Sequence, residues 1–215
     1  MAPEMNDCHS IDPEDEDDFH FLRKRRPNDA EYLKKLDEVW KAEQLCRLSR
    51  KFNVLDPKRR QTLERAVAFS DMCARGHLML FEIEASDARE NGKPNVSHEE
   101  MIEEQKEMIP HLYRAVEAGR RFKIFIGTDE FCKGNLFSYL PTRFYVRSVY
   151  GLGSILFALG DMEEAELYLK ETLANDVYDK LGARHKQLLL NPERSGGVKG
   201  ADIKYLLKAT FGEAR

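Results

Sequence analysis

Apolar residues that return every three or four positions run through most of this chain, and that spacing belongs to helices that bury one face. Tyr32, Leu33, Leu36, Val39, Trp40, Leu45 and Leu48 make the first stripe, opened by Pro27-Asn28-Asp29, where Asn28 or Asp29 supplies the N-cap. Asp56-Pro57 marks the next start, because Asp caps a helix and Pro fits its first turn. A second stripe runs through Leu63, Ala66, Val67, Phe69, Met72, Cys73, His77, Leu80, Phe81 and Ile83, with a break expected at Gly76. His77 is read as a core or boundary histidine. Asn91-Gly92-Lys93-Pro94-Asn95 is loop chemistry. Ser97 with Glu100 has the form of a capping box, and Met101, Ile102, Met108, Leu112, Tyr113 and Val116 carry a third stripe to Gly119. Pro110 should kink or split that helix, since an interior Pro removes a backbone hydrogen bond and crowds the preceding turn. Phe122 to Ile126 alternates as a strand does. One short strand cannot make a sheet, so an extended or helical connection is expected there.

The 215 residues include 38 acidic and 34 basic side chains, a formal net charge of −4. Residues 1–26 hold eight acids and four bases, so the whole net charge falls in that segment and the body is neutral. A neutral body lacks the broad basic field that binds phosphate backbones, and nucleic acid is not an expected partner. The acidic block Asp12 to Asp18 repels itself and buries little, so residues 1–26 are expected as a disordered, solvated tail. Arg23-Lys24-Arg25-Arg26 reads either as a nuclear-import signal or as a patch that pairs with the acidic block.

With 42% hydrophobic residues the remainder can bury a core, and no apolar run approaches the roughly 20 residues of a membrane span. No cationic-then-apolar leader opens the chain, so a cytoplasmic or nuclear address is expected, with no membrane contact. Cys8, Cys46, Cys73 and Cys132 show no Cys-x-x-Cys and no paired His, so no metal ligands are assigned. Cys46 and Cys73 are expected to be reduced, as small buried apolar groups.

Between Val146 and Leu173 the spacing becomes specific. Tyr150, Leu152, Ile155, Leu156 and Leu159 are the apolar set of one helix, Gly160-Asp161 is a turn, and Ala165, Leu167, Tyr168, Leu169 and Leu173 are the set of the next. Two antiparallel helices approach to about 8–10 Å only where small side chains meet, and Gly153 and Ala165 stand at matching depth on either side of the turn. This stretch resembles the tetratricopeptide helix-turn-helix, with Val149, Leu156 and Val177 where that repeat has Trp, Tyr and Pro. Thr142-Arg143-Phe144-Tyr145-Val146-Arg147, Gly151-Leu152-Gly153, Leu159-Gly160, Glu164-Ala165, Asp179 and Gly182-x-Arg184 further resemble the tetratricopeptide-type group related to suppressor-of-tumorigenicity-seven-like proteins. The resemblance implies an all-α protein used for protein contact and assigns no catalytic residue.

The expected fold is therefore all-α: a right-handed helical-repeat stack of antiparallel helix pairs. Residues 27–215 form one domain in this reading, with the clearest unit at 142–175 and a capping helix at 200–211 that presents Ile203, Leu206, Leu207 and Phe211 to the end of the stack. Leu63-Glu64-Arg65-Ala66-Val67 and Leu112-Tyr113-Arg114-Ala115-Val116 share a pattern that hints at equivalent neighbours in such a stack.

In a tetratricopeptide unit the first helix lines the concave face. The side chains that point away from its partner are Arg143, Arg147, Tyr150, Ser154 and Phe157. Two guanidinium groups four residues apart beside an aromatic suit an acidic peptide or a terminal carboxylate; the structural alternative is that they pair with acids of the preceding helix. Gly151-x-Gly153 falls inside a helix, Gly196-Gly197 lacks the phosphate-loop Lys-Ser or Lys-Thr, and Gly153-Ser154 is no nucleophile elbow. No catalytic or cofactor-binding residue is assigned. A non-catalytic adaptor that binds a peptide or protein segment is the expected function; a hydrolase or transferase with a site not recognisable from sequence is the alternative.

Overall fold

The computed structural model describes residues 13–91, 98–127 and 134–183. Among them stand seven α-helices: α1 (Pro13–Arg25), α2 (Ala30–Ser49), α3 (Pro57–Phe69), α4 (Ala74–Asn91), α5 (His98–Ile126), α6 (Leu140–Leu159) and α7 (Met162–Asn175). A 3₁₀ turn at Leu136–Ser138 precedes α6, and the described residues form no strand, only an isolated bridge between Asn135 and Asp176. None of the described helices is long and apolar enough to cross a membrane. The capping-box residue Ser97, Cys8, Cys132 and the helix expected at 200–211 lie outside the described residues.

Local chemistry sets three of the helix starts. Asp29 accepts from the Tyr32 N–H at 2.9 Å, Asp56 from the Lys58 N–H at 2.8 Å beside Pro57, and Asp161 from the Glu164 N–H at 3.3 Å. Gly160 closes α6 at φ +88°, a left-handed conformation that side chains with a Cβ seldom adopt. Two expected breaks fall elsewhere. The second stripe is interrupted at Ser70–Cys73, and Gly76 sits inside α4, where an added Cβ would lie 2.6 Å from Val67 Cγ1. α5 runs without a break through Pro110 and beyond Gly119. A Cβ on Gly119 would lie 2.4 Å from Tyr145 Cβ, so this glycine lets α6 come close and does not end a helix. Phe122 to Ile126 is the last turn and a half of α5.

Each helix from α2 to α7 packs on the next, and α2 also touches α4 as α4 touches α6. Three clusters make up the core. The largest joins α4, α5, α6 and the start of α7 around Tyr145, Leu152 and Ile155; a second joins α2, α3 and α4 around Leu63 and Ile83; the third joins α1, α2 and the end of α5 around Leu36 and Phe122. For residues 19–26 that third cluster departs from the expected solvated tail, while residues 1–12 lie outside the described residues. Phe19 and Leu22 on α1 are buried, Arg25 Nη1 donates to the Ile126 carbonyl at 2.6 Å at the end of α5, and Arg26 lies over the Tyr32 ring. Arg23 pairs with Asp37. The basic run thus docks α1 on the body, where it neutralises the free carbonyls of a helix C-terminus.

The α2 stripe also turns from its expected path. Leu48 is exposed, and Ala42, Glu43, Cys46 and Ser49 fill the buried face instead. Glu43 is matched by Arg75 of α4, Nη1 to Oε2 at 3.0 Å, with both side chains almost wholly buried, and the Arg75 guanidinium lies 4.6 Å above the Phe144 ring of α6. At the other end, Glu171 of α7 accepts two hydrogen bonds from Arg120 of α5 and one from Tyr145 of α6. Burial works against its charge, yet the Arg120 and Tyr145 hydrogen bonds hold the Glu171 carboxyl below its ordinary value.

Gly153 faces α7 as expected: a Cβ there would lie 3.1 Å from Tyr168 Cβ, 3.2 Å from Leu169 Cγ and 3.3 Å from the Ala165 carbonyl. Gly151, on the same helix, has its nearest neighbour at 3.9 Å. Gly153→Leu will therefore destabilise the fold by about 1–3 kcal/mol or more through overpacking, while Gly151→Ala will be neutral or gain up to about 1 kcal/mol of helix propensity, both read by urea denaturation. Arg75→Met strands the Glu43 charge in the core and should cost about 3–5 kcal/mol; pairing it with Glu43→Leu should recover most of that loss in the same assay.

Candidate functional site

Of the five residues assigned from sequence, the structure leaves two on an accessible surface. Arg147 is exposed and Tyr150 half-buried. Ser154 is buried with its Oγ donating to the Tyr150 carbonyl at 2.7 Å, and Phe157 is buried in the largest core cluster. Arg143 is half-buried, its Nε donating to the Phe137 carbonyl at 3.0 Å and its guanidinium over the Phe137 ring, so it fastens the 3₁₀ turn to α6. The correction has a simple cause. α6 is packed by α4, α5 and α7 together, which leaves a narrow strip open around Arg147 and not the broad wall that helical spacing implied.

Other elements bring further charge to Arg147. Glu82 of α4 feels Arg59 at the start of α3, Arg147 of α6, Arg50 at the end of α2 and Arg75 of α4, all of which favour its ionised form. Burial outweighs them and raises the Glu82 carboxyl above its ordinary value. Arg50 is shifted down, first by burial and then by Arg75, with Arg59 and Arg147 adding to the effect against the pull of Glu82. Glu82 and Arg50 both keep open surface, yet enough protein surrounds them for desolvation to shift each. Arg59 Nε is buried with no hydrogen-bond partner, and among the described residues no carboxylate forms an ion pair with Arg50, Arg59 or Arg147.

Arg50, Arg59 and Glu82 were not singled out by sequence reasoning. The signal present was the pair of basic clusters Arg50-Lys51 and Lys58-Arg59-Arg60 on either side of the α2–α3 turn. Nothing local linked them to Arg147, some ninety residues on. The arrangement gathers several guanidinium groups round one carboxylate. Such groups bind and orient anions bidentately; they are neither nucleophiles nor proton donors at neutral pH. Among the described residues no group of three or more His, Cys, Asp or Glu side chains is placed to hold a metal ion.

A second polar cluster lies across α3, α4 and α5. Arg60 reaches Glu84 at 3.4 Å and Asp87 at 3.1 Å, and His111 Nε2 lies 3.1 Å from Glu84 Oε1. His77 is half-buried nearby, and its Nδ1 has no hydrogen-bond partner. Burial first, then His111, Arg114 and Arg121, lower its imidazole from the ordinary 6.5 to about 4. Neither a protein-family model nor a curated protein nor a solved structure matches this chain.

The His77 shift has a definite sign. An unfolded chain takes up this proton near pH 6.5 and the folded one only near 4, so the contribution is complete above 6.5 and is lost as pH falls toward 4. His77→Leu should remove about 2 kcal/mol of the stability difference between pH 7 and pH 4 seen in the wild type, measured by urea denaturation at both.

Proposed function

We propose that the protein is a non-catalytic helical-repeat adaptor of the cytoplasm or nucleus, which holds an acidic segment of a partner protein against the face shared by α2, α4 and α6. The observation that carries this reading is the convergence of Arg50, Arg59 and Arg147 from three separate stretches, none in an ion pair among the described residues, around Glu82. Guanidinium groups meet carboxylates with two parallel hydrogen bonds, and a face with more than one of them favours a segment with several acids. Tyr150, one turn from Arg147, adds an aromatic edge for the intervening side chains.

The packing supports the tetratricopeptide reading. α2 with α3, α4 with α5 and α6 with α7 are neighbours in contact, and the first members of these pairs also touch one another, as in a stack whose first helices line one face. The shared Leu-x-Arg-Ala-Val pattern fits this arrangement. Leu63 and Ala66 lie on α3 and Leu112 and Ala115 on α5, the second members of consecutive pairs, and all four are fully buried.

The test is fluorescence anisotropy with a labelled peptide rich in Glu and Asp, against a Lys-rich peptide of equal length. Arg147→Glu should lower affinity for the acidic peptide about tenfold or more without a change in Tm, and added salt should weaken the wild-type complex. Phe157→Ala should lower Tm instead, because that side chain belongs to the core. Equal binding of both peptides, or full affinity in Arg147→Glu, would sink the assignment.

A further inference from the structure

Cys46 Sγ and Cys73 Sγ lie 3.6 Å apart, both fully buried and both free thiols. Cys46 is in the last turns of α2, and Cys73 is the residue just before α4. Gly76 makes room for the pair, since a Cβ there would come within 3.3 Å of Cys73 Sγ and 3.5 Å of Cys46 Sγ. A disulfide needs the sulfurs at about 2.05 Å, so closure requires them to move together by about 1.5 Å. Small side-chain rotations in the Ser70–Cys73 turn supply movement of that size more easily than a shift of either helix.

We infer that Cys46 and Cys73 are a peroxide-oxidisable pair that closes into a disulfide and locks α2 to the start of α4. The reaction balances with hydrogen peroxide as oxidant. The Cys73 sulfur displaces water from the peroxide and becomes a sulfenic acid; the Cys46 sulfur then attacks it, the S–O bond breaks, and the hydroxide leaves with the Cys46 proton as a second water. Two thiols give up two protons and two electrons, and the peroxide oxygens take them. The roles follow from position. Cys73 lies in the turn between α3 and α4, where its sulfur can swing out to meet the oxidant, whereas Cys46 is held inside α2 and is the sulfur placed to resolve.

The bond would close a loop between residues 27 apart that contains all of α3. It would also run beside the Glu43–Arg75 pair, which joins α2 and α4 one turn away. Oxidation therefore reinforces an existing tie and does not force a new one.

The test uses the full chain carrying Cys8→Ala and Cys132→Ala, treated with hydrogen peroxide and then digested without reduction. The expected products are a linked peptide containing Cys46 and Cys73, a monomer lighter by two hydrogens, loss of both thiols, full reversal by dithiothreitol and a rise in Tm of roughly 5–10 °C. In Cys46→Ala, dimedone should label Cys73; in Cys73→Ala, Cys46 should stay unlabelled. The unsubstituted chain should give the same linked peptide, which keeps the test valid if a variant folds poorly. The inference is overturned if both thiols survive peroxide, if they pass to sulfinic acid unlinked, or if the linkage joins different chains.

Discussion

The buried Glu43–Arg75 ion pair is the constraint on which the arrangement of α2, α4 and α6 depends. A charge with no partner at that depth is costly, so each group fixes the other, and the 3.0 Å contact sets the register between two helices that are not adjacent in sequence. Phe144 adds the third helix by placing its ring under the same guanidinium. Hydrophobic contact alone would tolerate a slide of one helix along another. A directional pair held between three helices does not, and the charged face around Glu82 inherits its geometry from that fixity.

What could be read in the sequence was what is local. Asp29, Asp56 and Asp161 cap helices through side-chain oxygens that reach only two or three residues ahead, and Gly153 and Ala165 are small where a short turn brings two helices together. Buried polarity was not legible. A periodic rule counts apolar residues, so it placed Leu48 inside and passed over Glu43, whose burial makes sense only once Arg75 is known to face it. α1 was hidden for a related reason: acidic composition dominated the segment, and the few apolar residues that dock it, Phe19 and Leu22, are too few to register as a stripe.

Glycine and arginine carried the other two misreadings. Gly119 has the sequence appearance of a stop, yet its role is the approach of Tyr145, and a glycine serving an approach looks the same in sequence as one serving a break. Arg143 and Arg147 share a helical spacing, but Arg143 is drawn to the Phe137 carbonyl and only Arg147 joins the charged cluster. The charges it shares a field with, Arg50, Arg59 and Glu82, come from three other stretches, and no spacing rule connects residues that only tertiary packing brings together.

The two glycine contacts on either side of α6 also divide the molecule mechanically. Where α5 meets α6 at Gly119 and α6 meets α7 at Gly153, backbone sits almost against side chain, and no rotamer change can lengthen or shorten such a contact without a clash or a void. The junction between α2 and α4 is made instead by side chains, above all the Glu43 carboxylate on the Arg75 guanidinium. The α5–α7 end is thus aligned by shape and the α2–α4 seam by direction, so a change of side-chain volume disturbs the first and a change of charge the second.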